Sequence, residues 1–252
     1  TSVEGNPIPV EGGIVLSLQQ MNHILELRAE DLQVRVEAGV MDKELNQYLS
    51  RYGLFFPPDP GASATIGGMV GNNASGIRTI KYGSTKDFVL NMVIVLPSGE
   101  IIHPGTNAVK SSSGYDLCRL FVGSEGTLGV VTEVTLRLMG LPAEFMAAMV
   151  QFSTVREATD TVSMIMRSGL SPTALELLDI PTVQVVNRYK KLSLDERPTL
   201  FIEFHGTSSV ALKEDLEVVK EICADHHSLQ FNAGIGREER NRLWEARHEV
   251  HD

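Results

Sequence analysis

The fold is decided by residues 57–76, which read PPDPGASATIGGMVGNNASG. The stretch contains five glycines and three prolines, and Asp59 is its only charged residue. Glycine lets the backbone approach a ligand closely and present N–H groups, while Ser63, Thr65 and Asn72 add neutral side-chain donors. This composition predicts a cradle that binds a diphosphate through dipoles rather than through lysines.

Other interpretations of this stretch are weaker. It lacks the GxxxxGK[ST] pattern of a P-loop NTPase, and no GxGxxG follows the first predicted strand as a Rossmann dinucleotide fold requires. An ordinary glycine-rich surface loop is the remaining alternative, but a stretch with a single charge makes a poor surface loop. Two further small, polar segments precede predicted strands: Glu4-Gly5-Asn6, and GSEGTLGVVT at 123–132.

The composition of the whole chain excludes several classes of protein. Its 252 residues are enough for one large or two modest domains, and 42% hydrophobic with 21% charged residues argues against wholesale disorder. The net charge of −10 argues against a nucleic-acid partner, and no apolar run approaches the ~20 residues that span a bilayer. Cys118 and Cys223 lie far apart without CxxC spacing, so we expect two buried thiols and neither a disulfide framework nor a zinc site.

Hydrophobic periodicity predicts short strands alternating with helices in the second half of the chain, which is typical of a layered α/β or α+β domain. For the chain as a whole we expect an α+β fold, with a mixed and antiparallel sheet carrying helices. We place a domain boundary in the Gly140-Leu141-Pro142-Ala143 connector. Before it, strands are predicted at 13–16, 32–38, 91–96, 101–103 and 129–138, with a helix that Asp42 caps and Gly53 ends. After it, strands at 145–152, 172–178, 199–205 and 228–233 alternate with helices at 155–168, 181–190, 209–225 and 236–251. Because the sequence starts at Thr1 and stops inside a predicted helix, we expect it to be part of a longer protein.

The order of these motifs resembles that of the FAD-linked oxidases of the vanillyl-alcohol-oxidase type, whose FAD-binding domain is called PCMH-type. Within that family the chain is most similar to the branch of D-lactate dehydrogenases (cytochrome), above all the mitochondrial ones, and glycolate oxidase subunits. The match is specific over 1–140 and looser over 144–252. The residues that carry it are Glu4-Gly5-Asn6, Pro57-Pro58-Asp59-Pro60, Thr65-Ile66-Gly67-Gly68, Gly71 to Gly76, Tyr82-Gly83 and Gly123 to Gly129.

The resemblance implies a PCMH-type FAD-binding domain over 1–140, its N-terminal part missing, and over 144–252 part of an α+β, ferredoxin-like cap domain that binds substrate. Thr1, Ser2, Gly5 and Asn6 would form the tail of the first pyrophosphate loop, and Tyr82 and Gly83 would close the pocket. The diphosphate, ribose and flavin ring would be lined by Pro57, Asp59, Ala64, Thr65, Gly67, Gly68, Gly71, Asn72, Ser75 and Gly76. The adenosine end would be lined by Glu125, Gly129, Val130 and Val131.

The resemblance also bears on catalysis. Leu243-Trp244-Glu245-Ala246-Arg247 resembles the cap helix whose arginine faces the substrate carboxylate, a role that suits a bidentate guanidinium. A solvated arginine on an amphipathic helix is the alternative for Arg247, and core packing is expected for Trp244. The family's His-x-Gly-Asp-Gly-Asn-x-His motif has no match in 1–252, so the general base is expected outside this sequence and no metal site within it.

The function implied by the resemblance is oxidation of a D-2-hydroxy acid by noncovalent FAD, foremost D-lactate to pyruvate. Electrons would pass to a cytochrome- or quinone-linked acceptor, in the mitochondrion of a eukaryote and otherwise in the cytoplasm. The alternatives are a D-2-hydroxyglutarate dehydrogenase, a glycolate oxidase subunit, and a noncatalytic flavin-binding module. A divalent metal is conceivable in a longer protein, and the sequence by itself is expected to be inactive.

Overall fold

The computed structural model describes residues 5, 8–190 and 195–248, with the backbone alone at 189, 190, 242 and 245–248. Thr1, Ser2 and Asn6 of the predicted flavin set therefore lie outside the described residues. The chain divides into two compact units: unit 1 comprises residues 1–76 and 82–141, and unit 2 comprises residues 77–81 and 142–252.

Unit 1 is built on one antiparallel sheet with short helices. Its strands are β1 (Ile24–Arg28), β2 (Gln33–Glu37), β3 (Leu54–Phe55), β4 (Val89–Val95), β5 (Ile101–Ile102), β6 (Val130–Arg137) and β7 (Met139–Gly140). Its helices are α1 (Asp42–Ser50), α2 (Ile66–Asn72), α3 (Thr79–Tyr82, shared with unit 2) and α4 (Leu117–Phe121), with a 3-10 turn at Thr85–Asp87. The main sheet has the order β1-β2-β6-β4-β5, and β3 pairs separately with β7. Alternate residues of its strands, such as Val34 and Val36, are buried in one apolar core with residues of α1 and α2.

Two predictions for unit 1 are wrong. Residues 13–16 form no strand: they have no partner strand, and the Ile14 side chain is 95% exposed. The first strand of the described chain is β1, whose pattern the sequence analysis did not single out and which pairs with β2. Asp42 does not cap α1 either, because Met41 occupies the N-cap position and Asp42 is the first helical residue.

Unit 2 is a four-stranded antiparallel sheet covered by helices on both faces. Its strands are β8 (Glu144–Gln151), β9 (Ala174–Leu178), β10 (Thr199–Gly206) and β11 (Gln230–Ile235), and its helices are α5 (Val155–Arg167), α6 (Ile180–Lys190), α7 (Ser209–Asp225) and α8 (Arg237–His248). The order β11-β8-β10-β9 with antiparallel neighbours is that of a ferredoxin-like βαββαβ unit, to which α6 and α8 are additions. The predicted alternation of strands and helices is confirmed here.

The two faces of this sheet have different partners. On β10, Leu200, Ile202 and Phe204 belong to a core shared with α5 and α7. The alternate residue Phe201 belongs to a second core with Leu243 and Trp244 of α8. All strand pairings of the described chain are antiparallel, so the expected mixed sheet does not form.

Candidate functional site

The loop that precedes α2 is anchored by Asp42, whose exposure is only 3%. The carboxylate of Asp42 accepts the N–H of Ala64 at 2.9 Å, and the N–H of Asp42 donates to the Ala64 carbonyl at 2.9 Å. Burial raises the pKa of Asp42, although the hydrogen bond from Ala64 acts in the opposite direction. Asp42 therefore holds the glycine-rich stretch in place, a role that sequence analysis missed by treating it as a helix cap.

The N-terminal turn of α2 uses its own backbone donors. The N–H of Gly67 donates to the Ala38 carbonyl at 2.7 Å, and the N–H of Gly68 donates to Oγ1 of Thr65 at 3.2 Å. A Cβ atom at position 67 would lie 2.8 Å from Cβ of Ala38. Glycine at position 67 thus lets α2 pack closely against the residue that follows β2. The two N–H groups that the sequence offered to a diphosphate are engaged by the chain itself.

The C-terminal end of α2 is held by Asn73. This residue adopts a left-handed conformation with φ of 48°, which asparagine tolerates better than most residues. Its side-chain Oδ1 accepts the hydroxyl of Ser84 at 3.1 Å and the N–H of Lys86 at 3.0 Å. Asn73 therefore joins α2 to the segment after Gly83. The sequence analysis included Asn73 in the Gly71 to Gly76 motif but gave it no role, although an asparagine among glycines is a signal for this conformation.

The second glycine-rich segment meets the same end of α2. The N–H of Glu125 donates to the Gly71 carbonyl at 3.0 Å, and the N–H of Gly123 donates to the Val70 carbonyl at 2.9 Å. A Cβ atom at position 71 would have only Cα of Glu125 as a near neighbour, at 3.9 Å. Three of the motifs that the sequence singled out, Gly71 to Gly76, Tyr82-Gly83 and Gly123 to Gly129, thus come together near one end of this short helix through the contacts of Ser84, Gly123 and Glu125.

The predicted flavin residues divide into supporting and accessible groups. Pro57, Ala64 and Gly129 are buried in unit 1, where they support the structure. Asn72, Ser75 and Glu125 are exposed at the convergence, and the Ser75 hydroxyl has no partner among the described residues. The half-exposed members are Asp59, Thr65, Gly67, Gly68, Gly71, Gly76, Tyr82, Gly83, Val130 and Val131. Small, almost uncharged groups of this kind fit a dinucleotide that binds through dipoles.

Two cavities of unit 1 lie away from the predicted flavin residues. One of 350 Å³ lies against β2, β4 and β6, beside Arg35 and Glu133, and one of 640 Å³ lies beside Lys110 and Arg119. Neither is lined by a residue of the predicted flavin set. These two cavities are therefore separate from the convergence at α2.

Both cysteines are buried and unpaired, as the sequence predicts. The thiol of Cys118 donates to the Leu90 carbonyl at 3.4 Å, and burial raises its pKa to about 11. Burial likewise raises the pKa of Cys223 to about 12. Neither thiol is activated for covalent chemistry, because the thiolate is the nucleophile.

Helix α8 contains the sequence that predicted a substrate arginine. Leu243 is 8% exposed and Trp244 is fully buried, so the packing role expected for Trp244 is confirmed. The backbone of Arg247 belongs to the last turn of α8, and its side chain lies outside the described part of the structure. The carboxylate-binding role of Arg247 stays a prediction.

Sequence analysis missed a buried ionic group beside α8. The carboxylate of Glu203, on β10, is fully buried. Its Oε2 accepts Nε–H of Arg240 at 2.7 Å, and its Oε1 is 2.6 Å from Nε2 of His205. The N–H of His205 donates to the hydroxyl of Thr173 at 2.9 Å, and Nζ of Lys81 donates to the His205 carbonyl at 3.0 Å.

The protein favours the ionised form of Glu203 and the neutral form of His205. Burial acts to raise the pKa of Glu203, but the hydrogen bond with His205 and the charge of Arg240 together hold it below its usual value. Burial lowers the pKa of His205, assisted by the charges of Arg78 and Lys81 and opposed by Glu203. The ring is therefore neutral at neutral pH, and Nε2 carries the proton that it donates to the carboxylate.

Each of the two units is similar to a known family of domains. Residues 1–105 match the family model described as FAD binding domain, and residues 141–252 match the one described as FAD linked oxidases, C-terminal domain. A solved structure of alkyldihydroxyacetonephosphate synthase matches 91% of this chain and 44% of its own with a TM-score of 0.72 at 22% identity, which shows the fold alone.

Curated relatives match nearly the whole chain. A probable mitochondrial D-lactate dehydrogenase of Danio rerio is 42% identical over 99% of this chain and 51% of its own length. A mitochondrial D-lactate dehydrogenase (cytochrome) of Arabidopsis thaliana is 40% identical over 99% of this chain and 44% of its own length. A glycolate oxidase subunit of Bacillus subtilis is 38% identical over 98% of this chain and 53% of its own length. The chain thus spans about half the length of these relatives, and it belongs to the FAD-linked oxidases.

Proposed function

We propose that this chain contributes the FAD-binding domain and part of the substrate domain of an FAD-dependent D-2-hydroxy-acid dehydrogenase that converts D-lactate to pyruvate. The observation that carries the proposal is the convergence, at the C-terminal end of α2, of three segments of small residues in which Glu125 is the only charged side chain. It lies in the unit that matches an FAD binding domain, and two of the relatives named above are D-lactate dehydrogenases.

We infer that the flavin binds without a covalent bond. Cys118 is buried and its pKa is raised, so it is a poor nucleophile toward the isoalloxazine ring. The Asn72 amide and the Ser75 hydroxyl, both exposed at the convergence, supply neutral contacts for the diphosphate. Asp42 and Asn73 would support these contacts from behind without touching the cofactor.

The chemistry divides between the cofactor and the chain. When bound, the flavin accepts the hydride that leaves the α-carbon of the hydroxy acid. The chain must hold the substrate carboxylate, which a guanidinium does best because its two N–H groups match the two oxygens. Arg247 is the residue we assign to this task. No residue of the chain is assigned as the general base.

The electron acceptor is proposed to be a cytochrome- or quinone-linked carrier. The sequence has no nicotinamide fingerprint, and the Arabidopsis relative is named for a cytochrome. That protein and the one from Danio rerio are named mitochondrial. If this chain comes from a eukaryote, the proposed location is therefore the mitochondrion. No helix within residues 8–190 and 195–248 is long and apolar enough to cross a membrane.

The cofactor assignment is tested by two matched substitutions at glycines. Gly71→Leu directs a side chain from α2 toward the convergence, whereas Gly140→Leu adds the same side chain at an exposed position with no atom within 4 Å of its Cβ. We expect the Gly71 variant to lose flavin absorbance on purification and the Gly140 variant to keep it. Full flavin content in both variants would remove α2 from the site.

The substrate assignment is tested on the full-length protein, by anaerobic bleaching of its bound flavin with D-lactate, L-lactate, glycolate and D-2-hydroxyglutarate. We expect D-lactate to bleach it fastest. Faster bleaching by glycolate would favour the activity named for the Bacillus subtilis relative, and faster bleaching by D-2-hydroxyglutarate would assign that substrate instead. A flavin that no hydroxy acid reduces would indicate a noncatalytic flavin-binding module.

A further inference from the structure

The buried charges of unit 2 need a reason other than stability. Replacing a buried ion pair by apolar residues is often neutral or stabilising, because the charges lose their hydration. The residues on either side of Glu203 in β10, Ile202 and Phe204, are buried and apolar. In addition, Nη2 of Arg240 is buried without a hydrogen-bond partner in the described chain, a further loss of free energy.

The ion pair adds a contact with a defined geometry between α8 and the sheet. The contacts of Leu243 and Trp244 hold α8 on the sheet, but apolar burial is non-directional and leaves the helix free to rotate slightly. The hydrogen bond from Arg240 to Glu203 fixes a 2.7 Å distance between one point of α8 and the central strand β10. Charge-assisted hydrogen bonds of this kind are strong and geometrically specific.

The carboxylate that receives this bond is itself immobile. One oxygen is held by His205 and the other by Arg240, and the backbone on both sides of Glu203 belongs to a strand paired with β8 and β9. The N–H of Thr173 also donates to the Glu203 carbonyl at 2.6 Å. Glu203 is therefore a rigid reference point for α8.

The rest of α8 follows the position of Arg240. Arg247 comes seven residues later in the same helix, which is within about 20° of two full turns and about 10.5 Å along the axis. The backbones of Arg240 and Arg247 thus share one strip of α8. A rotation or a slip of the helix at Arg240 is carried to Arg247, because a continuous α-helix is stiff over this length.

We propose that Glu203 is a positioning residue for 2-hydroxy-acid binding, which sets the rotation of α8 through Arg240 and so places Arg247 for the substrate carboxylate. The inference rests on the proposed function, because it requires Arg247 to bind the substrate. Glu203 itself touches no substrate. His205 and Thr173 support Glu203 in this role.

The test uses the flavin-loaded full-length protein, because this sequence by itself is expected to be inactive, and compares Glu203→Gln and Arg240→Lys with Ile202→Val. Ile202 is the neighbour of Glu203 on the opposite face of β10, where it packs toward α5 and α7, so its variant reports general loosening of the sheet. We expect both ion-pair variants to raise KM for D-lactate roughly tenfold, with kcat within about threefold and flavin content unchanged. The Ile202 variant is expected to leave KM within about twofold.

A double-mutant cycle separates positioning from a merely structural effect. If Glu203 acts through Arg247, Glu203→Gln should lower kcat/KM about tenfold in the wild-type background but less than about twofold in the Arg247→Lys background. Multiplicative losses in the double variant would overturn the inference. So would a fall in melting temperature with unchanged KM. If Glu203→Gln does not fold, Arg240→Lys and Glu203→Asp are judged by the same criteria.

The outcomes also distinguish this inference from the proposed function. Full-length wild-type protein that turns over no 2-hydroxy acid, or a full-length Arg247→Lys variant with unchanged KM, overturns the role of Arg247 and this inference with it. A large effect of Arg247→Lys together with none of Glu203→Gln or Arg240→Lys overturns the inference alone.

Discussion

The two units build their candidate sites from opposite materials. At the end of α2 in unit 1 the groups are small and almost uncharged, and backbone hydrogen bonds such as Glu125 to Gly71 bring them together. Beside α8 in unit 2 the groups are full charges, and the pair is made by residues 37 positions apart, Glu203 and Arg240. The first arrangement is a matter of steric fit, whereas the second is a matter of charge balance.

This difference predicts different weaknesses. Unit 1 should be most sensitive to added atoms at its glycines and tolerant of small changes in charge. Unit 2 should be most sensitive to removal of one buried charge and more tolerant when both charges are removed. The following substitutions test this contrast, from the largest expected effect to the smallest.

Removing one charge in unit 2 should have the largest effect on stability. In Arg240→Met the buried Glu203 carboxylate keeps only His205 as a partner, and breaking a buried pair in this way costs about 3–5 kcal/mol of unfolding free energy. The double variant Glu203→Gln/Arg240→Met should regain most of that loss, because the introduced glutamine can still accept the His205 hydrogen bond and no charge remains buried. Chemical denaturation measures both values. A double variant less stable than Arg240→Met would show that the buried, unpaired charge of Glu203 is not the cause of the lost stability.

Adding one methyl group in unit 1 should have the next largest effect. In Gly76→Ala the new Cβ would overlap the carbonyl oxygen of Asp59, since the two atoms would lie within bonding distance of each other. Backbone atoms must shift to relieve the clash, and overpacking of this kind costs about 1–3 kcal/mol. We expect a lower melting temperature together with reduced flavin content. Unchanged values for both would mean that residues 59 and 76 are not in close approach.

Lowering the pH should weaken unit 2 through His205. The pKa of His205 is held below its usual 6.5, so the unfolded chain takes up a proton at a higher pH than the folded chain does. Stability from this group is therefore present above pH 6.5 and is lost as the pH falls through the lower folded value, by at most about 1.4 kcal/mol per pH unit. Glu203, with a pKa held below 4.5, adds a further loss only below that pH.

The variant His205→Gln isolates this contribution, because glutamine can donate the same hydrogen bond without titrating. Melting temperatures measured between pH 5 and 7.5 should fall more steeply for the wild type than for the variant. Parallel curves would assign the pH dependence to other histidines.

The smallest effect should come from Gly71→Ala. This glycine lies inside α2, and the nearest atom to an added Cβ is 3.9 Å away, so alanine fits without a clash. Because alanine favours helix more than glycine does, we expect unit 1 to gain about 0.5–1 kcal/mol of stability. Thermal unfolding compared with Gly76→Ala tests the point, since the same added methyl group should act in opposite directions at the two positions.

Local patterns predicted much of the architecture. The eight strands and helices of residues 144–248 appear in the predicted order, because each alternation of apolar residues matches a face that the sheet or helix buries. Residues 13–16 show the limit of this reasoning: their apolar run is typical of a strand, but no neighbouring strand pairs with it. Asp42 shows another limit. It lies at the start of a helix, as expected, but its carboxylate accepts a hydrogen bond from Ala64 of a distant loop.

The candidate sites divide in the same way. Composition alone was enough to single out the glycine-rich segments, because glycine, serine and asparagine act through backbone freedom and small size, which are properties of each residue by itself. The tertiary structure decided that these segments meet at the C-terminal end of α2. It also decided that the N–H groups of Gly67 and Gly68 already have hydrogen-bond acceptors within the chain. Glu203, His205 and Arg240 had no local signal at all. Their charges acquire meaning only when the sheet and α8 exclude water from them, because burial and distance, which no stretch of sequence contains, determine the strength of an ion pair.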